Sequence, residues 1–163
     1  TAAGAYPVES LKIMARIAET TESDIDYKKR FRNTVHTDLC NVTDAISHAT
    51  CAAAHDLDAR AIITVTESGG TARMISKYRP QVDILGCSPS KKTVRQMNMS
   101  WGVTPLLIEE KTSTDDLFAH AIAVSQNANY LKRGDLSVIT AGVPLGKSGT
   151  TNMIRIHVVG ESL

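Results

Sequence analysis

From residue 61 onward, short β-branched runs alternate with stretches of helical period, and that alternation leaves few folds open to the chain. Ala61-Ile62-Ile63-Thr64-Val65 has the length and branching of a buried strand. A Ser-Gly-Gly turn follows, then a helix from Thr71 to Tyr78 that Pro80 stops. Val82 to Cys87 reads as a strand, Ser90 to Ser100 as a helix and Val103 to Ile108 as a strand. Ser113-Thr114-Asp115-Asp116 resembles a capping box, opening a helix that carries Leu117, Ala121, Val124 and Ala128. Gly134 ends that connection, and Leu136 to Ala141 and Asn152 to Val159 are the last two strands. Strands separated by helices imply right-handed crossovers and a parallel sheet. The final pair is joined by about ten residues without helical period, too few for a crossover, so the last strand runs antiparallel. The expected fold is a three-layer α/β/α sandwich with a five-stranded, mostly parallel sheet.

Upstream, Pro7 suits the first position of a helix, where its missing N–H has no partner to lose. That helix runs to about Thr20, with Leu11, Met14, Ile17 and Ala18 on one side. Residues 21–37 are polar and aperiodic and read as a linker; they hold the densest basic run, Tyr27-Lys-Lys-Arg-Phe-Arg32. Leu39, Val42, Ile46, Ala49 and Ala53 then recur at steps of three and four, an amphipathic stripe whose alanines admit a close neighbour. The chain starts Thr1-Ala-Ala-Gly without a Met, so the opening helix is expected to be tethered to something further upstream. The division expected is 1–20, a lone helix; 21–37, a linker; and 38–163, the main domain.

Lys and Arg total 18 against 17 for Asp and Glu, a balance that excludes an electrostatic footprint for nucleic acid or a membrane surface. No apolar run approaches the roughly 20 residues needed to cross a bilayer. Cys40, Cys51 and Cys87 are odd in number, show no Cys-x-x-Cys spacing and follow no secretory signal, which favours free thiols and a cytoplasmic setting. His36, His48, His55, His120 and His157 lack metal-ligand spacing and read as surface or capping residues, so no metal site is expected. Met74, Met97 and Met99 read as core filling and Trp101 as a packing anchor.

In an open α/β sheet, ligands sit beyond the carboxyl ends of the strands, near helix N-termini. Two loops qualify. Thr66-Glu67-Ser68-Gly69-Gly70-Thr71 offers hydroxyls, glycines and a following helix, which suit a phosphate group; they equally suit a tight turn with a Thr cap. The second is Ala141-Gly-Val-Pro-Leu-Gly-Lys-Ser-Gly-Thr-Thr151, which fits a relaxed Walker A pattern through Gly146-Lys147-Ser148. A P-loop needs a helix directly after the Lys-Ser, whereas Asn152 to Val159 alternates as a strand, so an NTPase site is not expected. No nucleophile elbow or Ser–His–Asp arrangement is legible.

These residues carry a resemblance to a known family. Thr1-Ala-Ala-Gly-Ala-Tyr-Pro-Val-Glu9 is similar to the segment that opens the last helix of the pyruvate kinase barrel. Thr66-x-Ser68-Gly69 with Tyr78-Arg79-Pro80 resembles that enzyme's C-terminal phosphate loop and the helix after it, and Trp101-Gly102-Val103 matches too. Most specific is Gly134-Asp-Leu-Ser-Val-Ile-Thr-Ala-Gly-Val-Pro-Leu-Gly-Lys-Ser-Gly-Thr-Thr-Asn152, similar to the closing signature of the bacterial enzymes. The resemblance implies a C-terminal allosteric and oligomerisation domain of pyruvate kinase, which transfers phosphoryl from phosphoenolpyruvate to ADP with magnesium and potassium. It implies that residues 1–20 are the last helix of a catalytic barrel, that the barrel is a partner of residues 38–163, and that the parent enzyme is a cytoplasmic tetramer. No catalytic or metal-binding residue carries over, because those lie in the barrel, so the fragment alone is expected to be inactive. What carries over is an effector site for a sugar phosphate or nucleotide: Thr66, Ser68, Gly69, Gly70 and Thr71 on one side, Lys147, Ser148, Gly149 and Thr150 on the other. Glu67 departs from relatives that respond strongly to fructose bisphosphate, which tend to carry Lys or another non-acidic residue there. The alternative is a stand-alone module that binds phosphorylated metabolites.

Overall fold

The computed structural model describes residues 3–33, 41–147 and 149–162. The chain divides into two compact units, Thr1–Thr34 and Val35–Leu163.

The first unit holds helices α1 (Pro7–Ser23) and α2 (Tyr27–Asn33). Pro7 occupies the first helical turn, as its geometry favours. No residue of α1 is buried, and Val8, Leu11, Ile13, Met14 and Ile17 are each more than half exposed. The polar stretch 21–37, expected to be aperiodic, is partly helical. α1 continues through it to Ser23, and the Asp26 carboxylate accepts from the Lys29 N–H at 2.9 Å to start α2. A short basic helix whose one buried residue is Phe31 has no legible stripe, which is why periodicity overlooks it.

The second unit is the expected α/β/α sandwich. Its elements run α3 (Val42–Asp56), β1 (Ala61–Val65), α4 (Gly70–Tyr78), β2 (Asp83–Ser88), α5 (Lys91–Met97), β3 (Val103–Leu107), α6 (Thr114–Asn127), β4 (Leu136–Gly142) and β5 (Thr151–Val158). The strands are ordered β3-β2-β1-β4-β5, all parallel except the β4–β5 pair. Right-handed crossovers moving outward from β1 to β3 place α4 and α5 on one face, and the return from β3 to β4 places α6 on the other. Strand β1 is central, and Ala61, Ile62, Ile63 and Thr64 are fully buried. On the α6 face Phe118, Leu117, Ala121 and Ile122 pack against Ile63, Leu85, Cys87 and Ile139.

Helix α3 turns a different face inward from the one its apolar stripe predicts. Leu39 lies outside the described residues, Val42 is 64% exposed and Ala49 is exposed, while Asp44, Ser47, Thr50, Cys51, Ala54 and His55 are buried. Hydrogen bonds offset the cost of this burial. Ser47 and Thr50 donate to the carbonyls of Thr43 and Ile46 at 2.7 Å each, and Asp44 accepts from the Tyr78 hydroxyl at 2.7 Å. Ser113 does precede α6 in an extended conformation, yet its side chain makes no capping bond. Met97 is buried as expected, whereas Met99 is 90% exposed. His55 and His157 are buried, not on the surface.

Candidate functional site

The strand order reverses direction of travel between β1 and β4, so the loops leaving their carboxyl ends diverge and open a cleft. The cleft has a volume of about 600 Å³. Its three walls are the β1–α4 loop, the β4–β5 loop and residues 109–112 after β3.

The β1–α4 loop is held by its own side chains. Thr66 Oγ1 accepts from the Gly69 N–H at 3.1 Å, and the Thr93 hydroxyl donates to the Glu67 carbonyl at 2.8 Å. Gly69 takes φ +77°, which favours glycine, and lies against Met97, where a Cβ would come within 3.1 Å of Met97 Cγ, a tight contact. Gly69 is also the N-cap of α4 and brings no side chain of its own to cap it. Gly70 and Thr71, in its first turn, line the cleft, so the positive end of the helix lies beside it.

The β4–β5 loop is fixed at its base by Asn152, whose amide accepts from the Val143 N–H at 2.9 Å and donates to the Val143 carbonyl at 2.7 Å. The Thr150 hydroxyl donates to the Lys147 carbonyl at 3.0 Å. The two loops meet where the Thr71 and Thr151 hydroxyls lie 2.6 Å apart, both buried. One proton serves that bond, so one of the two hydroxyls still has a proton to donate. Thr66 likewise uses its oxygen as an acceptor and keeps its proton.

The structure thus brings Thr66, Ser68, Gly70 and Thr71 together with Lys147, Gly149 and Thr150 around one cleft. Gly69 borders the groove on the far side of the loop instead, and Ser148 lies outside the described residues. The third wall was not foreseen from sequence. It contributes Glu109, Glu110, Lys111 and Thr112, and α4 adds Arg73 and Met74. The signal for the wall was available: β3 runs parallel to β1, so its carboxyl end must emerge at the same edge. The Glu109 N–H donates to His120 Nε2 at 3.0 Å, fixing this wall to α6. Lys111 donates to the Glu109 carboxylate at 2.8 Å, and that bond holds the Glu109 carboxyl below its ordinary pKa. Glu67, Glu109 and Glu110 face Arg73, Lys111 and Lys147, so the formal charges around the cleft cancel.

Fold and cleft together define a doubly wound α/β domain with its concavity at the topological switch point. Residues 44–157 match the family model of the pyruvate kinase alpha/beta domain, and the chain belongs to that family. It is 44% identical over 159 residues to a pyruvate kinase of Clostridium acetobutylicum, covering 98% of this chain and 34% of that enzyme. It is also 44% identical over its full 163 residues to pyruvate kinases of Staphylococcus epidermidis and Staphylococcus aureus, covering 28% of each. The chain therefore spans about a third or less of the length of the relatives it matches.

Proposed function

We propose that this chain is the regulatory part of a pyruvate kinase and that its cleft takes the phosphate group of an effector. One observation carries this reading: the first turn of α4 and the β4–β5 loop close on the same cleft, tied by Thr71 and Thr151. A phosphate there would accept from the first N–H groups of α4 and from the Thr66 and Ser68 hydroxyls, with Lys147 and Gly149–Thr150 approaching from the other side. The parent reaction, phosphoryl transfer from phosphoenolpyruvate to ADP with magnesium and potassium, belongs to a barrel outside this chain, and the chain alone does not catalyse it. Residues 1–20 are the barrel's last helix in this reading, and the domain contributes to a cytoplasmic tetramer.

The balanced charge of the cleft favours an effector with one phosphate over one with two. A carboxylate about 5 Å from a phosphate charge repels it by on the order of 3 kcal/mol at an effective dielectric near 20. The test is titration of the parent enzyme with fructose bisphosphate, monophosphorylated sugars and nucleoside monophosphates. Glu67→Lys is expected to create or strengthen the response to the bisphosphate, and Ser68→Ala to weaken the response to whichever effector activates. An effector that activates the Ser68→Ala and Glu67→Lys enzymes just as it does the parent acts elsewhere, and the proposal fails.

A further inference from the structure

On the other side of α4 lies a second concavity, of about 700 Å³, between the carboxyl end of α4 and the end of α5 with Met99–Trp101. Three cations line it, Arg73, Lys77 and Arg79, with Gln96 and Ser100, and none of its described lining residues is a carboxylate. The nearest acid in an ion pair with any of the three is Asp44, 3.9 Å from Lys77 Nζ and already accepting from Tyr78 at 2.7 Å. Among the described residues neither arginine has an ion-pair partner.

Helix dipoles explain only part of this charge. The ends of α4 and α5 each present about half a negative elementary charge, roughly one together, against three full cations. Much of that partial charge is already satisfied. The carbonyls of Val94 and Arg95 accept from Asn98, and those of Gln96 and Met97 accept from the Met99 and Ser100 N–H groups.

The arginine is also set in place. The Arg79 guanidinium stacks over the Trp101 ring at 5.2 Å from its centroid. The Trp101 backbone in turn is tied to α4 by Ser76, whose hydroxyl donates to the Trp101 carbonyl at 2.6 Å. Arg79 holds this position from a backbone at φ +49°, where a helix end ordinarily places glycine or asparagine.

We propose that this groove is a second anion site, separate from the cleft, for a small molecule carrying more than one phosphate charge. A single phosphate monoester carries about −1.5 to −2 at neutral pH, so three cations suit a diphosphate group better than a monophosphate. The open groove leaves room for the organic part of such a molecule beside Gln96 and Ser100.

Trp101 is the chain's one tryptophan, so its fluorescence reads this groove directly. The 163-residue chain is titrated with inorganic pyrophosphate at constant ionic strength, with chloride as the control. A saturable change in Trp101 emission is expected with pyrophosphate and not with chloride. By calorimetry, the Lys77→Gln/Arg79→Gly double variant should bind about tenfold or more weakly, as expected for two lost charge-assisted contacts. The glycine also relieves the left-handed backbone, so folding is not at risk at that position. Lys77→Gln alone should weaken the binding read at Trp101 about threefold to tenfold, and Lys132→Gln, which lines neither cavity, should leave it unchanged. The proposal is overturned if pyrophosphate produces no saturable change, if chloride reproduces it, if the charge-removing variants bind like the parent, or if Lys132→Gln causes the same loss.

Discussion

The bond between Thr71 and Thr151 joins the two loops of the cleft, and a double-mutant cycle can weigh it. The hydroxyls are 2.6 Å apart, the residues are 5% and 4% exposed, and 80 positions separate them in sequence. Thr71→Val keeps the side-chain shape and removes one partner, leaving the Thr151 hydroxyl buried without its bond. An orphaned buried hydroxyl costs about 1–3 kcal/mol, and the cleft beside Thr151 lets water recover part of that, so about 1–2 kcal/mol is expected. Thr151→Val should cost a similar amount for the same reason. The double Val variant orphans neither group, so it should be no less stable than the worse single variant and recover most of the loss. Urea unfolding of the 163-residue chain measures all four corners of the cycle. If the two losses simply add, the hydroxyls do not depend on each other, and the reading of this contact as the link between the loops is wrong.

Two further outcomes are open to direct measurement. Burial pushes the Cys51 and Cys87 thiols up from about 9 to about 12, so both protons stay on in the folded state while the unfolded chain releases them above its ordinary thiol pKa. Stability should therefore fall as pH rises through 9, by about 3 kcal/mol at pH 10 from two such thiols. In a Cys40→Ser background neither should react with iodoacetamide at pH 8 without denaturant. Arg73 lines both the cleft and the groove, and one guanidinium cannot serve two anions at full strength. If both proposals hold, a saturating cleft effector should weaken pyrophosphate binding read at Trp101, and Arg73→Ala should remove that antagonism.

The sheet was legible because its signals are local. Ile62-Ile63-Thr64-Val65 can hardly be anything but a central strand, and the helix-free stretch before Asn152 forces the antiparallel turn. The two cleft loops were legible for the same reason, since strand direction fixes where their ends emerge. Helix α3 was not, because periodicity counts apolar residues and its buried face is mostly polar or small. Ser47 and Thr50 go inward only because each can return its proton to the preceding turn, and Asp44 because Tyr78 comes from another helix to meet it. Nothing local announces that meeting. Arg73 and the Glu109–Thr112 wall were missed for a related reason: each is an ordinary surface residue until the sheet brings three loops to one edge. Glycine at 142 shows the same dependence on tertiary contact. A Cβ there would come within 3.0 Å of the Thr150 backbone, a clash that exists only once β4 and β5 have paired.

Helix α4 is the element on which these placements converge. Its first turn is tied to β5 through Thr71, its last turn to α3 through Tyr78 and Asp44, and Ser76 binds the carbonyl of Trp101. Ala72 and Ile75 are fully buried between these ties. A nine-residue helix anchored at both ends and along its inner face cannot slide or tilt without breaking several buried bonds at once, each worth on the order of 1 kcal/mol or more. The exposed side of the helix is its outer row, Arg73 and Lys77, one turn apart. A rigid helix with exposed cations between two cavities would communicate through charge and rotamer, with little backbone displacement. That division of labour follows from the sequence, since Thr71, Ser76 and Tyr78 bond inward while Arg73 and Lys77 point out.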